Sequence, residues 1–74
     1  MDIKRGVVFK YTNYKGSVSI RHVIPIDIWY GSTEYHPEEQ WLLKAYDIDK
    51  QDYRNFSIKE ISEWRSLNND KDYD

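Results

Sequence analysis

The chain alternates short runs of in-phase apolar residues with polar breaks, which is the signature of strands rather than long helices. In Val7-Val8-Phe9-Lys10-Tyr11-Thr12 the residues Val7, Phe9 and Tyr11 share one face. Asn13-Tyr14-Lys15-Gly16 follows as a turn, with glycine where a hairpin needs left-handed backbone. The next run, Ser17 to Tyr30, places Val18, Ile20, Ile24, Ile26 and Ile28 in phase as the expected core face. Pro25 removes a ladder donor, so a bulge or sharp bend is expected there, splitting the run into two strands.

After a polar break at 31–38, Gln40 to Asp47 alternates again, with Trp41, Leu43 and Ala45 on the expected core face and Leu42, Lys44 and Tyr46 on the other. A turn over 47–52 leads to a short strand, Tyr53-Arg54-Asn55-Phe56. Ser57-Ile58-Lys59-Glu60 has capping-box spacing, which predicts a helix with Ile58, Ile61 and Trp64 on its buried stripe. At about 8 to 10 residues such a helix is stable only when docked. The expected fold is therefore mainly β: a small Sm-like, five-stranded β-barrel with a short C-terminal α-helix. One domain covers residues 1–67, and 68–74 form an acidic, disordered tail. An open antiparallel sheet with the helix over one face has the same periodicity.

Composition sharpens this picture. Seventy-four residues without cysteine must be stabilised by a packed core alone, and three Trp, seven Tyr and two Phe make that core aromatic. The net charge is -2, but Lys71 against Asp70, Asp72 and Asp74 puts that deficit in the last five residues. The remainder is balanced, which disfavours tight nonspecific DNA binding and leaves room for one compact anion site. No apolar run is long enough to cross a membrane and the first residues lead into no signal sequence, so a cytoplasmic chain is expected.

Several pieces together resemble the WYL domain family: Phe9-Lys10-Tyr11 with Gly16, Arg21-His22-Val23-Ile24-Pro25, Trp41-Leu42-Leu43-Lys44-Ala45-Tyr46-Asp47, and Arg54-Asn55-Phe56 through Ile61. The resemblance covers most of the chain. It implies an Sm-like barrel that senses a ligand, here as a bare module. Two positions that this family associates with its ligand surface depart from its pattern: Leu42 stands where the central Tyr is usual, and Glu60 where a basic residue is usual.

The residue types that point to binding are cations interleaved with rings. Arg21, out of phase with Ile20 and Ile24, is expected to point away from the core, as is Lys44 beside Tyr46, while Arg54 is expected at the barrel rim. If Arg21, Lys44 and Arg54 converge, they form a phosphate-sized patch, and Tyr46 with Trp29 or Tyr30 would stack on a base. Trp29, Tyr30, Tyr35, His36 and Trp41 bracket the loop at 31–38 as a candidate stacking pocket, although Trp41 and Trp64 also fit the core. Tyr14, in the turn, is expected to be exposed.

No metal or cofactor is expected. His22, His36, Glu34, Glu38 and Glu39 lack zinc-ligand spacing, and Asp47 to Asp52 has Asp52 at the sixth place, where a calcium loop needs glycine. No nucleophile elbow or phosphate-binding glycine loop is present, so no enzyme is expected. The leading expectation is a regulatory module that recognises an anionic nucleotide or a single-stranded nucleic-acid element. The alternative is a protein-interaction or self-associating regulator encoded by a phage or mobile element, which Leu42 and Glu60 favour.

Overall fold

A computed structural model of the chain describes residues 6–66. Five strands, β1 (Val7–Thr12), β2 (Val18–Gly31), β3 (Gln40–Asp47), β4 (Asp52–Ser57) and β5 (Ile61–Ser66), form one antiparallel sheet in the order β4-β3-β2-β1-β5. A 3₁₀ turn, Ile58–Glu60, is the only element between β4 and β5.

That connection forces the sheet to curl. The edge strands are four strand spacings apart, about 19 Å in a flat sheet. Ile58–Glu60 spans only about 8 Å at a 3₁₀ rise of roughly 2 Å per residue. β2 curls lengthwise as well. Extended, its 14 residues would run about 46 Å, yet Tyr14 before it and Tyr35 after it have ring centroids 5.4 Å apart. A bulge at Ile26, between the pairs Pro25–Ala45 and Asp27–Lys44, relieves the curvature. The strand does not split at Pro25 as expected; its first half pairs with β1 and its second with β3.

The expected closed barrel is not formed: among the described residues no ladder joins β4 to β5. Nor does a helix follow Ser57. The Ser57 side chain caps nothing and instead bonds the Gln40 side-chain oxygen. Ile61 to Ser66 pairs along β1, where ladder bonds satisfy a backbone that a helix of this length would leave largely unsatisfied. The expected tail at 68–74 lies outside the described residues.

The core is a cluster of Val7, Phe9, Tyr11, Val23, Leu43, Ala45 and Phe56, with Ile58 and Ile61 packed against it. Three of its rings meet edge to face, Phe9–Phe56 at 5.3 Å, Tyr11–Phe56 at 4.9 Å and Phe9–Tyr11 at 6.1 Å, an arrangement favoured by the ring quadrupoles.

β1 follows its expected phase, but the start of β2 reverses it. Register puts Val23 opposite Val7 and Arg21 opposite Phe9, so Arg21 and Val23 turn inward while Val18 and Ile20, opposite Thr12 and Lys10, are exposed. Ile26 and Ile28 are exposed too. Trp41, expected in the core, lies beyond the cluster and is 56% exposed, making an edge-to-face pair with Tyr30. Trp64 is not on a buried helix stripe. It sits half exposed on β5 at a bulge opposite Phe9, whose ring it stacks on at 5.6 Å and 2°. Glu63 in that bulge has φ 54, left-handed backbone.

Candidate functional site

The curl and the missing closure leave a groove of about 720 Å³ between the inner face of β4, the turn after β1, and the turn at 33–36. Each wall has a local cause. In the turn after β1, Asn13 Oδ1 accepts the N–H groups of Lys15 and Ser17, both at 2.9 Å, and Gly16 supplies φ 86; Tyr14 is held at the tip, exposed. In the opposite turn Thr33 and His36 exchange backbone hydrogen bonds at 2.9 and 3.1 Å, and Thr33 Oγ1 accepts from the N–H of Tyr35 and of His36. The tilted contact of Tyr14 with Tyr35 closes that end.

Arg21 forms the floor with Tyr11 and Phe56. Its side chain is only 16% exposed, contrary to the outward position expected for it. One guanidinium N–H donates to Asp47 Oδ2 at 3.2 Å, and the guanidinium carbon lies 5.9 Å from the Tyr11 ring centroid and 5.6 Å from that of Phe56. Asp47 is buried, and its second oxygen accepts the Lys50 N–H at 3.0 Å, fixing the β3–β4 turn. Arg21 is thus a structural cation with its charge already matched.

Arg54 differs. Two residues before Phe56, it shares that residue's inner face, is exposed to the groove, and makes no ion pair among the described residues. Two carboxylates also line the groove: Glu34, and Asp52, whose Oδ1 accepts the Tyr53 N–H at 2.8 Å. Among the described residues the groove therefore brings one cation without an ion pair, two carboxylates and several rings into one concavity.

The remaining expected site residues are elsewhere. In register, Trp29, Lys44 and Tyr46 face away from the groove, on the convex side of the sheet. There the Trp29 indole N–H crosses β3 to donate to Asn55 Oδ1 at 2.9 Å, beside the buried Leu42, which pairs with Trp29. Lys44 Nζ lies 6.0 Å from the Tyr53 ring centroid, and Tyr46 meets Tyr53 edge to face at 5.1 Å. Tyr30 pairs with Trp41 at the far end of the β2–β3 hairpin. Arg21 and Arg54 come together; Lys44 does not join them.

The sequence reading missed Tyr53, Asn55, Asp52 and Glu34. A signal existed for Tyr53: a turn over 47–52 mirrors Tyr46 onto it across the hairpin. Tyr11 carries a perturbed hydroxyl. Burial raises its pKa above the ordinary 10.0, opposed by the Ser57 N–H bond and the charge of Arg21, and assisted by Glu60. Among the described residues no group of three His, Asp or Glu side chains could hold a metal ion. No protein-family model, no curated protein and no solved structure matches the chain.

Proposed function

We propose that the groove binds a nucleotide, free or as a unit of a single strand, without transforming it. The observation that carries this reading is Arg54, an exposed cation that makes no ion pair among the described residues, set among rings in a groove that Glu34 and Asp52 also line. Each chemical part of a nucleotide has a counterpart there. A guanidinium binds phosphate with charge-assisted, often bidentate bonds. Tyr14, Tyr35 and Tyr53 offer faces for a base, and carboxylates accept base amino groups. The two carboxylates also limit the anionic charge the groove tolerates, which suits one phosphate and not a polyphosphate. The WYL resemblance agrees with a ligand-sensing role.

Calorimetric titration of nucleoside monophosphates, cyclic nucleotides and short single strands at low salt tests the proposal. Arg54→Ala is expected to weaken binding about tenfold or more, the worth of a charged hydrogen bond of roughly 1.5–3 kcal/mol. Absence of binding at millimolar ligand would refute it.

A second reading, self-association or docking on another protein, is favoured by the exposed apolar residues Ile26, Ile28, Tyr30 and Trp41 on the β2–β3 hairpin. Light scattering discriminates: a concentration-dependent mass abolished by Trp41→Lys supports it, and a strict monomer that captures no partner protein counts against it.

A further inference from the structure

β4 is an edge strand, so it is a thin wall with two usable faces. Its inner face presents Arg54 to the groove. Its outer face carries Tyr53 and Asn55, which also reach the groove rim, and in register these continue onto the convex side of β3. There Lys44 sits opposite Asn55 and Tyr46 opposite Tyr53. Trp29 from β2 is pinned to Asn55 by its indole N–H. Three rings from three adjacent strands thus share this face: Tyr53 and Tyr46 meet at one end, Trp29 lies four residues along β3 from Tyr46, and Lys44 stands between.

Lys44, like Arg54, makes no ion pair among the described residues; its Nζ lies only against the Tyr53 ring. Asp27, its neighbour across the ladder, has a carboxylate oxygen committed to the Ile28 N–H at 2.9 Å. Among the described residues, two cations without an ion pair therefore stand on the two faces of this edge, and each has rings beside it. A mononucleotide can engage only one of them. A flexible chain of phosphates and bases can engage both by passing over the β4 edge.

We infer that the ligand is a single strand of several nucleotides that seats one nucleotide in the groove against Arg54, crosses β4 at Tyr53, and lays the next bases on Tyr46 and Trp29 with a phosphate at Lys44. This rests on the nucleotide reading of the groove. Edge crossing excludes duplexes, because a paired and stacked strand cannot fold around a single β-strand. Stacking on rings is tolerant of sequence, so the convex face adds affinity and the groove supplies any preference for a base.

The test is calorimetry at low salt with cytidine monophosphate, with single strands of cytidylate about six nucleotides long in both the deoxy and the ribo form, and with the same length annealed as a duplex. The single strand is expected to bind at least about tenfold tighter than the monophosphate, and the duplex no tighter than the monophosphate. Lys44→Ala and Tyr46→Leu should bring the single strand to the level of the monophosphate and leave monophosphate binding unchanged, whereas Arg54→Ala should weaken both. Lys44→Gln, at an exposed position, is the control against misfolding, with circular dichroism confirming the sheet.

Equal affinity for monophosphate and single strand, or a single strand indifferent to Lys44, would overturn the inference while leaving the groove reading intact. A single strand that loses affinity with Lys44→Ala but not with Arg54→Ala would sink the groove reading and, with it, the edge crossing. No binding of either probe would overturn both. A preference between deoxy and ribo strands identifies the natural class.

Discussion

The Tyr11 hydroxyl, on β1, accepts a hydrogen bond of 2.8 Å from the backbone N–H of Ser57 at the end of β4. It ties an interior strand to an edge strand that, among the described residues, has no ladder partner on its outer side, across the buried core.

Tyr11→Phe keeps the ring and removes the acceptor, leaving a buried N–H unpaired. The expected loss is about 1–3 kcal/mol in chemical denaturation. The alkaline limb supplies a second readout. Because burial raises the Tyr11 pKa above 10.0, the native state retains a proton that the unfolded chain has lost between 10.0 and the raised value. Stability therefore falls as pH rises through that window, and Tyr11→Phe should flatten this part of the profile. A steep alkaline limb unchanged in the variant would assign it to other groups.

Arg21 and Asp47 form a largely buried pair at 3.2 Å, with side chains 16% and 1% exposed. Removing one partner strands the other, at a cost of about 3–5 kcal/mol for a buried pair. Asp47→Ala is expected at the upper part of that range because it also frees the Lys50 N–H. Adding Arg21→Met to Asp47→Ala should recover part of the loss. Additive single effects in this double-mutant cycle would show that the ion pair is not what couples β2 to the β3–β4 turn.

Gly31 faces the Trp29 ring so closely that a Cβ there would overlap it. Gly31→Ala should displace the indole from Asn55, shifting tryptophan emission and removing a bond worth about 0.5–1.5 kcal/mol. Asn55→Ala should cause a similar spectral change without the steric clash. An unaltered spectrum in both variants would contradict the pinned position of Trp29.

At Glu63, left-handed backbone is held by a residue with a Cβ. The ion pair it makes with Lys10, 3.7 Å between well-exposed groups, contributes little. Glu63→Gly should therefore raise stability by about 0.5–1 kcal/mol, since the relieved strain of roughly 1–2 kcal/mol exceeds the added chain entropy. A lower melting temperature would mean that Lys10 matters more than the backbone.

The local pattern was legible where one strand met one environment. Val7, Phe9 and Tyr11 face the core as their alternation requires, the Asn13–Gly16 turn forms, and the turn over 47–52 pairs Tyr46 with Tyr53. β2 was misread because its periodicity is apolar on the wrong face at its start: Val18 and Ile20 lie outward while Arg21 turns in. Alternation fixes which residues share a face, but the partner strand fixes which face is buried. Phe9 opposite Arg21 and Val7 opposite Val23 decided that. Arg21 could turn inward only because Asp47, 26 residues away, was there to match its charge.

The same division separates the site residues. The order of residues already specified cations interleaved with rings and, outside the last five residues, a balanced charge. It could not specify that Arg54 and Lys44 stand on opposite faces of one thin edge, because that depends on the register of β3 with β4. The capping-box spacing at Ser57 was equally insufficient: an isolated short helix gains less than a strand that finds the open edge of β1. The sequence by itself determined a small antiparallel β fold with an aromatic core, since side-chain alternation and ring area are local quantities. Only the tertiary structure decided where the sheet stops short of closure and which cations, among the described residues, make no ion pair, since both follow from contacts between residues distant in the chain.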